Sequence, residues 1–171
     1  TNDTHLYSFA AGAGNADNNK FQLFGNQLRS GAIFDYEAQS TCTIRIQTND
    51  SHGGIYQMIF IINIVDVNDA PTNLALSNAN IDENQPVGTT IGSFTTTDED
   101  AGDTFTYSLV TGSGDADNAQ FQISGNQLQS NAIYDCEVKN SYSIRILTTD
   151  ASGLNYSKAF AITIQNVNDA P

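Results

Sequence analysis

Residues 141–150 read Ser-Tyr-Ser-Ile-Arg-Ile-Leu-Thr-Thr-Asp, and residues 41–50 read Thr-Cys-Thr-Ile-Arg-Ile-Gln-Thr-Asn-Asp. In the first stretch Tyr142, Ile144 and Ile146 occupy alternate positions, with polar side chains between them. This period of two is typical of a β-strand that buries one face. The shared Ile-Arg-Ile core of the two stretches also indicates that the chain repeats itself.

The repeat extends far beyond this strand. A shift of 100 residues aligns Asp3–Pro71 with Asp103–Pro171 without a gap, and about half of the aligned residues are identical. Solenoid repeats run about 20–50 residues, so a period this long is that of whole domains. We therefore predict two modules, a partial one at residues 1–71 and a complete one at residues 72–171.

The first module is shorter than the second. Residues 72–102 have no counterpart before Asp3. Either the fragment was cut inside a repeat, or the first module itself lacks its opening strands; in both cases we predict a first module without them. Because a truncated sandwich leaves strand edges unpaired, we expect instability, strand exchange or dimerisation at this end.

Short alternating segments separated by turn residues recur through the second module. Turn signals fall at residues 112–114, 125–126 and 152–153, and no segment of 12 residues carries a helical stripe. The predicted strands cover residues 74–81, 90–97, 105–109, 121–123, 142–148 and 160–164, with another around Leu128. Six or seven short strands per module predict an all-β fold of tandem antiparallel Greek-key β-sandwiches.

The charge balance excludes several classes of partner. The 171 residues include 19 acidic and 6 basic side chains, for a net charge of −13. Such a chain repels nucleic acid and anionic membranes, and without an apolar run of 18 residues we expect no membrane insertion. No signal peptide is visible, and we expect the chain to be a fragment of a longer protein. No motif pairs a nucleophile with a base, so we predict that the protein is not an enzyme.

The acidic and amide side chains concentrate in the predicted strand-end loops. Oxygen-rich loops suit Ca²⁺, which takes six to eight oxygen ligands, whereas Asp and Asn at such places also make ordinary turns. An EF-hand does not fit residues 98–109, because Gly102 falls at position 5 and Leu109 at position 12. We interpret Asp115–Asn118 as a loop.

The order of these motifs resembles the cadherin repeat, and particularly its bacterial cadherin-like relatives. The residues that carry the resemblance are Glu83, the pair Asp98 and Asp100 with Gly102 and Tyr107, the pair Asp135 and Glu137, the pair Asp150 and Gly153, and the segment Asp66-Val67-Asn68-Asp69-Ala70-Pro71. The resemblance covers residues 72–171 fully and residues 3–71 without the beginning of a repeat. It implies a cadherin/immunoglobulin-like sandwich with calcium ions held between successive modules.

Two sets of calcium ligands are implied by this resemblance. The junction between the modules would use Asp35, Glu37, Asp66, Asn68, Asp69, Asp98, Asp100, Asp103 and Asp150. A half-site for a further module would use Glu83, Asp135, Glu137, Asn168 and Asp169. Departures from the family pattern are a linker one residue shorter, the missing first-module counterpart of Glu83, and the absence of tryptophan, so adhesion of the animal type is not implied.

We therefore expect a calcium-binding spacer or adhesion module of a secreted or cell-surface protein. Its partners would be calcium ions, adjacent repeats of the same chain, and a homophilic or polysaccharide partner. The alternative is a calcium-dependent carbohydrate-binding module, because Tyr56 and Tyr156 recur at one place and Phe34 and Tyr134 at another. Exposed, coplanar tyrosines would favour the carbohydrate module, and buried tyrosines would favour the spacer.

The cysteines and histidines do not repeat. Cys42 aligns with Tyr142, so we expect no repeated disulfide, and Cys136 is expected to point away from its acidic neighbours. His5 and His52 likewise lack histidine counterparts, and we predict no catalytic or metal role for them.

Overall fold

The computed structural model describes residues 4–168. The chain divides into two compact units, Thr1–Val67 and Asn68–Pro171, called unit one and unit two below. The described residues form strands, turns and two single-turn 3-10 helices, at Asn18–Lys20 and Asn118–Gln120. The predicted all-β sandwich fold is confirmed. No helix in the described range is long and apolar enough to cross a membrane.

Unit one has five described strands in two small sheets. The strands are β1 (Leu6–Phe9), β2 (Phe21–Phe24), β3 (Gln27–Ser30), β4 (Thr41–Asn49) and β5 (Ile55–Asn63). One sheet has the order β1-β4-β5, and β2 and β3 form a two-stranded sheet. The buried core is correspondingly small and consists of Phe21, Cys42 and Ile44.

Unit two is a fuller sandwich of eight strands. They are β6 (Asn73–Leu76), β7 (Asn80–Asp82), β8 (Thr90–Thr97), β9 (Thr106–Leu109), β10 (Phe121–Ser124), β11 (Gln127–Ser130), β12 (Ser141–Thr149) and β13 (Asn155–Gln165). One four-stranded sheet has the order β10-β11-β8-β6, and the other has the order β7-β13-β12-β9. The predicted strand at residues 90–97 agrees with β8.

The alternation in β12 sets the inward face of its sheet. Ile144 and Ile146 have no exposed surface, and they pack with residues from the facing sheet such as Phe94 and Leu128. Full burial of an aliphatic side chain of this size stabilises a fold by about 1.5–3 kcal/mol. The same pattern in β4 buries Ile44, which confirms the strand predicted from the repeated Ile-Arg-Ile core.

The single strand predicted over residues 74–81 is wrong, because the structure divides it into β6 and β7, which belong to different sheets. Asn78 makes the break: its side-chain amide donates to the carbonyls of Asn80 and Ile91, at 2.8 Å each. The backbone here also lies against Gly92, where a Cβ atom would be 2.5 Å from the Asn78 carbonyl oxygen. The crossing therefore requires glycine at that position of β8.

The sheets of unit two are not purely antiparallel as predicted. β7 pairs with β13 in the parallel direction, with Ile81 opposite Ile164. A parallel neighbour is possible because the chain enters β7 from the other sheet and does not arrive through a hairpin. This pairing covers the edge of β13 near the end of the unit.

An aspartate and the following asparagine fasten the loop before β10. Asp117 Oδ2 accepts the backbone N–H of Ser143 at 2.8 Å. Asn118 donates its side-chain amide to the carbonyl of Val110 at 2.9 Å and accepts the N–H of Arg145 at 2.9 Å. These bonds attach the loop to β12, in agreement with the interpretation of this segment as a structural loop.

Unit one repeats the arrangement with Asp17 and Asn18. Asp17 Oδ2 accepts the N–H of Thr43 at 2.7 Å, and Asn18 Oδ1 accepts the N–H of Arg45 at 2.9 Å. Because backbone groups left unpaired in a folded chain are costly, the side chains satisfy donors that have no strand partner there. The Asp-Asn pair is therefore part of the fold in both units.

Acidification should weaken unit two through Asp117. Burial opposes ionisation of this carboxyl, but its ion pair with Lys139 and the Ser143 N–H outweigh burial and hold its pKa below the ordinary value of 3.8. A folded pKa below the unfolded one stabilises the fold above about pH 4, and this contribution is lost as the pH falls through the folded value. We expect the stability difference between the native chain and Asp117→Asn to be largest near pH 7 and to shrink below pH 4.

Hydrogen exchange of unit two amides in increasing urea, measured from about pH 7 to pH 3 with correction for the intrinsic exchange rate, would test this expectation. Asp82→Asn is the matched control, because Asp82 is exposed, and it should follow the native pH dependence. A difference between the native chain and Asp117→Asn that stays constant with pH would contradict the assignment.

Candidate metal centres

Three carboxylates of unit two come together beside the hairpin that joins β12 and β13. Asp98, Asp103 and Asp150 each place an oxygen within 4.8 Å of the other two, and we call them the Asp150 cluster. Oδ2 of Asp98 is buried and has no hydrogen-bond partner. Like charges this close repel strongly when water is excluded, and a buried acceptor without a donor is costly. These three residues are therefore a candidate cation site.

Asp150 is held in place by its own hairpin. Its Oδ1 accepts the backbone N–H groups of Ser152, Gly153 and Leu154 at 2.6–2.9 Å. Gly153 has a φ of +96°, a conformation that glycine adopts without strain. Burial opposes ionisation, but these donors together with the Asn68 amide keep the pKa of Asp150 below its usual value. The hairpin therefore orients this carboxylate and favours its ionised form.

The first residues of unit two, Asn68 and Asp69, also contact the loops that carry the Asp150 cluster. Asn68 donates its side-chain amide to Asp150 Oδ2 at 3.0 Å, and its Oδ1 accepts the hydroxyl of Ser152 at 2.8 Å. Asp69 donates its backbone N–H to Asp100 Oδ2 at 2.7 Å. The structure thus brings the predicted ligands Asn68, Asp69 and Asp100 to the neighbourhood of the Asp150 cluster.

Ser152 contacts two of the predicted ligands, Asn68 and Asp150, but was not itself predicted to belong to the site. Its hydroxyl orients Asn68, and its backbone N–H binds Asp150. The motif Asp150-x-x-Gly153 placed a turn here, but a serine in a turn carries no signal for a partner located 84 residues earlier in the chain. A three-dimensional structure was needed to find it.

A second group of acids lies where the segment after β7 meets the turn after residue 134. Glu83, Asp135 and Glu137 place oxygens within 4.8 Å of one another, and we call them the Glu83 cluster. Glu83 is only 1% exposed, although it is charged. Its two oxygens accept the backbone N–H groups of Cys136 at 2.6 Å and Val167 at 2.7 Å. These two donors lower the pKa of Glu83 against the opposing effect of burial.

The other two acids of this cluster are exposed and differ in their contacts. Asp135 Oδ1 accepts the N–H of Val138 at 3.0 Å, so this carboxylate also shapes its own turn. Glu137 Oε1 accepts the side-chain amide of Asn166. Asn168, predicted as a ligand, is exposed, and Asp169 lies outside the described residues.

The predicted ligands of unit one are all exposed. Asp35 Oδ1 accepts the N–H of Ala38 at 2.8 Å, the same turn contact that Asp135 makes in unit two. Glu37 lies within this turn, and Asp66 follows the end of β5. Their assignment to calcium stays a prediction.

Both cysteines are free thiols, and both pack in or against a hydrophobic core. Cys42 is fully buried, and Cys136 donates its thiol to the carbonyl of Ile164 at 3.4 Å. Burial raises the pKa of both thiols. The side chain of Cys136 packs against the core while its acidic neighbours are exposed. The prediction of this opposite orientation assumed an extended stretch, but residues 136–138 form a turn.

The recurring aromatic residues are buried in unit two. Tyr134 is enclosed in the core, and its hydroxyl donates to the carbonyl of Gln120 at 2.8 Å. Tyr156 is partly buried against the same core. In unit one, Phe34 packs on the core, but Tyr56 is 66% exposed. Unit two therefore offers no aromatic platform at these positions, and the carbohydrate-binding alternative gains no support there.

Comparison with known proteins agrees with this fold and these motifs. The Cadherin domain family matches residues 77–165. Protocadherin Fat 4 of Homo sapiens is 31% identical over 149 residues, which cover 81% of this chain and 3% of that protein. The chain belongs to the cadherin family.

Two solved structures are similar over nearly the whole chain. The cis-dimer structure of Protocadherin gammaB7 EC3-6 matches with a TM-score of 0.65 and 25% identity. The match covers 99% of this chain and 42% of the protocadherin chain. The extracellular domain of Protocadherin GammaB4 has a TM-score of 0.66 and 26% identity, with coverage of 97% and 27%. The chain thus spans a small part of these relatives, and the narrower prediction of a bacterial cadherin-like protein stays a prediction.

Removal of the Glu83 charge should destabilise unit two even without metal. In Glu83→Gln the side-chain NH₂ would face one of the two backbone N–H groups that the carboxylate now accepts, leaving that donor unsatisfied. We expect the melting temperature in EDTA to fall by several degrees, measured by calorimetry, whereas Asp82→Asn should change it little. A Glu83→Gln chain with native stability in EDTA would show that these hydrogen bonds do not hold the segment.

Proposed function

We propose that the chain is a calcium-binding pair of cadherin repeats that acts as a spacer or adhesion module outside the cell. The observation that carries the proposal is the Asp150 cluster, in which three carboxylates converge and a buried oxygen of Asp98 has no donor. Ca²⁺ takes oxygen ligands from carboxylates, amides and carbonyls, and all three kinds are present at this end of unit two. Membership of the cadherin family supports the same metal.

Calcium would act here by neutralising charge and by joining segments. Without a cation, the three carboxylates repel one another, and the loop that carries Asp98 and Asp103 is pushed from the Asp150 hairpin. With a cation, the same oxygens attract a common centre, and the first residues of unit two, Asn68 and Asp69, become fastened to those loops. The segment that leads into unit two would therefore be stiffer with calcium than without it.

The Glu83 cluster supports a second site of the same kind. Its central glutamate is already buried and ionised, and two exposed carboxylates lie beside it. Because only three side chains meet there in the described residues, we propose that this site binds calcium more weakly than the Asp150 cluster. Adjacent repeats of the parent chain and a homophilic partner are the macromolecular contacts that we propose for such a module.

Titration calorimetry and thermal melts test the calcium proposal together. We expect the native chain to bind Ca²⁺ and to melt at a higher temperature in calcium than in EDTA, since calcium at about 100 times its Kd stabilises by about 2.7 kcal/mol. Asp98→Asn should weaken binding about tenfold or more. The same variant should melt above the native chain in EDTA, because it removes one of three repelling charges.

Asp98→Asn is expected to weaken calcium binding and yet to raise the melting temperature in EDTA. This combination distinguishes a cation site from a damaged fold, which would lower both. Asp82→Asn is the control, since it removes an exposed carboxylate outside both clusters and should leave calcium binding unchanged. No heat of binding and no change in melting temperature in the native chain would end the calcium proposal. The sandwich fold and family membership would stand in that case.

A further inference from the structure

The first residues of unit two are held by side chains and not by a sheet. Residues 68–72 form no strand, and β6 begins only at Asn73. Asn68 donates its side-chain amide to Asp150 Oδ2 at 3.0 Å, and Asp69 donates its backbone N–H to Asp100 Oδ2 at 2.7 Å. Both acceptors are carboxylates predicted to bind calcium. The attachment of this segment without metal therefore depends on the direction in which the Asn68 amide faces.

The surroundings of Asn68 determine the direction of its amide. The nitrogen donates to two acceptors, Asp150 Oδ2 and the carbonyl of Asp69, the latter at 2.7 Å. An ionised carboxylate and a backbone carbonyl accept hydrogen bonds but cannot donate them. The oxygen of the amide accepts the hydroxyl of Ser152 at 2.8 Å. The reverse orientation would place an oxygen against two acceptors, so the nitrogen faces Asp150.

Asp150 uses its two oxygens for different partners. Oδ1 accepts the backbone N–H groups of Ser152, Gly153 and Leu154 at 2.6–2.9 Å. Oδ2 accepts the Asn68 amide, which is the one donor to that oxygen within residues 4–168. A hydrogen bond to a charged acceptor is stronger than one between neutral groups. Without metal, the amide therefore offsets part of the negative charge that the Asp150 cluster carries.

The hairpin of unit one shows that the turn itself does not need the Ser152 hydroxyl. Asp50 Oδ1 accepts the backbone N–H groups of His52 at 2.9 Å and Gly54 at 2.8 Å. His52 stands where unit two has Ser152, and its ring Nδ1 lies 3.0 Å from the carbonyl of Asp50. The backbone bonds of the turn thus form with either residue. The hydroxyl of Ser152 is left for one contact, the one with Asn68.

We propose that Ser152 is a positioning residue, which through Asn68 fastens the first residues of unit two to the Asp150 hairpin when calcium is absent. We call the chain of contacts Ser152–Asn68–Asp150 the latch. A serine hydroxyl both donates and accepts, so Ser152 can hold the Asn68 amide in either direction. Because a cation attracts oxygen and repels an N–H group, Asn68 turns its amide when calcium binds, and Ser152 keeps it on the hairpin in both states.

The latch divides the work of holding this end of unit two between hydrogen bonds and metal. Asn68 stays on the hairpin without calcium, and calcium adds the loop that carries Asp98 and Asp103. The alternative is a segment that is free in EDTA and is brought to the hairpin by calcium alone. This inference deepens the proposed function, but only the turning of the amide rests on it, since the latch itself forms without metal.

Hydrogen exchange of the full chain in EDTA, read by NMR of individual amides, tests the latch. Ser152→Ala removes the hydroxyl and keeps the backbone N–H that binds Asp150. We expect the side-chain amide of Asn68 and the backbone N–H of Asp69 to exchange about threefold to tenfold faster in this variant, the effect of losing one partly exposed hydrogen bond. In millimolar Ca²⁺ the difference should shrink, because the metal then holds the same segment.

Three controls separate positioning from damage to the hairpin. Ser152→Thr retains the hydroxyl and should restore the native exchange rates. Ser113→Ala should leave them unchanged, since Ser113 is an exposed loop residue of unit two that contacts Arg145 through its carbonyl. In Ser152→Ala the N–H groups of Gly153 and Leu154 should exchange at native rates, because their bonds to Asp150 do not involve the hydroxyl.

Two variants of Asn68 test the direction of the amide. In EDTA, Asn68→Asp should melt at a lower temperature than Asn68→Ala, because a carboxylate cannot donate to Asp150 and adds a like charge beside it. In millimolar Ca²⁺ the order should reverse, since a carboxylate oxygen suits the cation and a methyl group does not.

Three results in EDTA would overturn the proposal. The first is native exchange of the Asp69 N–H in Ser152→Ala. The second is faster exchange of Gly153 and Leu154 in that variant, which would mean that the hydroxyl supports the hairpin and does not position Asn68. The third is an Asn68→Asp chain that melts no lower than Asn68→Ala. Failure of the proposed function is seen separately, as absence of a heat of calcium binding to the native chain, and it would leave the results in EDTA to decide the latch.

Discussion

Each unit depends on two sheets that bury their facing sides against one another. In unit two, Ile144 and Ile146 of one sheet meet Phe94 and Leu128 of the other, and all four are almost fully enclosed. Since a sheet cannot bury its apolar side alone, the strands of both sheets must be present for the core to close. In unit one the described sheets are smaller, its fully enclosed side chains are few, and Tyr7 and Tyr56 are exposed.

The sequence was informative where the physical signal was local and repeated. The period of two in β12 and its copy in β4 predicted both strands and the side that each buries. Local patterning did not identify the change of sheet at Asn78. The apolar positions shift phase there, from Leu74 and Leu76 to Ile81, but such a shift is equally typical of a bulge within one strand. That break depends on the fit of Asn78 against Gly92, which only the packed sandwich brings together.

For the candidate metal sites too, the sequence predicted what depends on local motifs but not what depends on packing. Acidic residues in strand-end loops were visible as motifs, and the structure brings Asp98, Asp103 and Asp150 within reach of one cation. The sequence could not tell which carboxylates are already used by backbone donors. Glu83 and Asp150 proved to be buried and oriented by N–H groups, whereas Asp135 is exposed and shapes a turn as well. Backbone N–H groups thus fix the position of the negative charge of Glu83 and Asp150.

The parallel pairing of β7 with β13 has a mechanical consequence when unit two is pulled from its two ends. β7 lies near the beginning of unit two and β13 near its end, so tension applied along the chain would pull these two strands in opposite directions. The hydrogen bonds between Asn80–Asp82 and Thr163–Gln165 would then be loaded together in shear. A hairpin pulled from its ends opens one bond at a time, whereas strands loaded in shear must break their bonds at once. Unit two would therefore resist stretching through the pairing of β7 with β13.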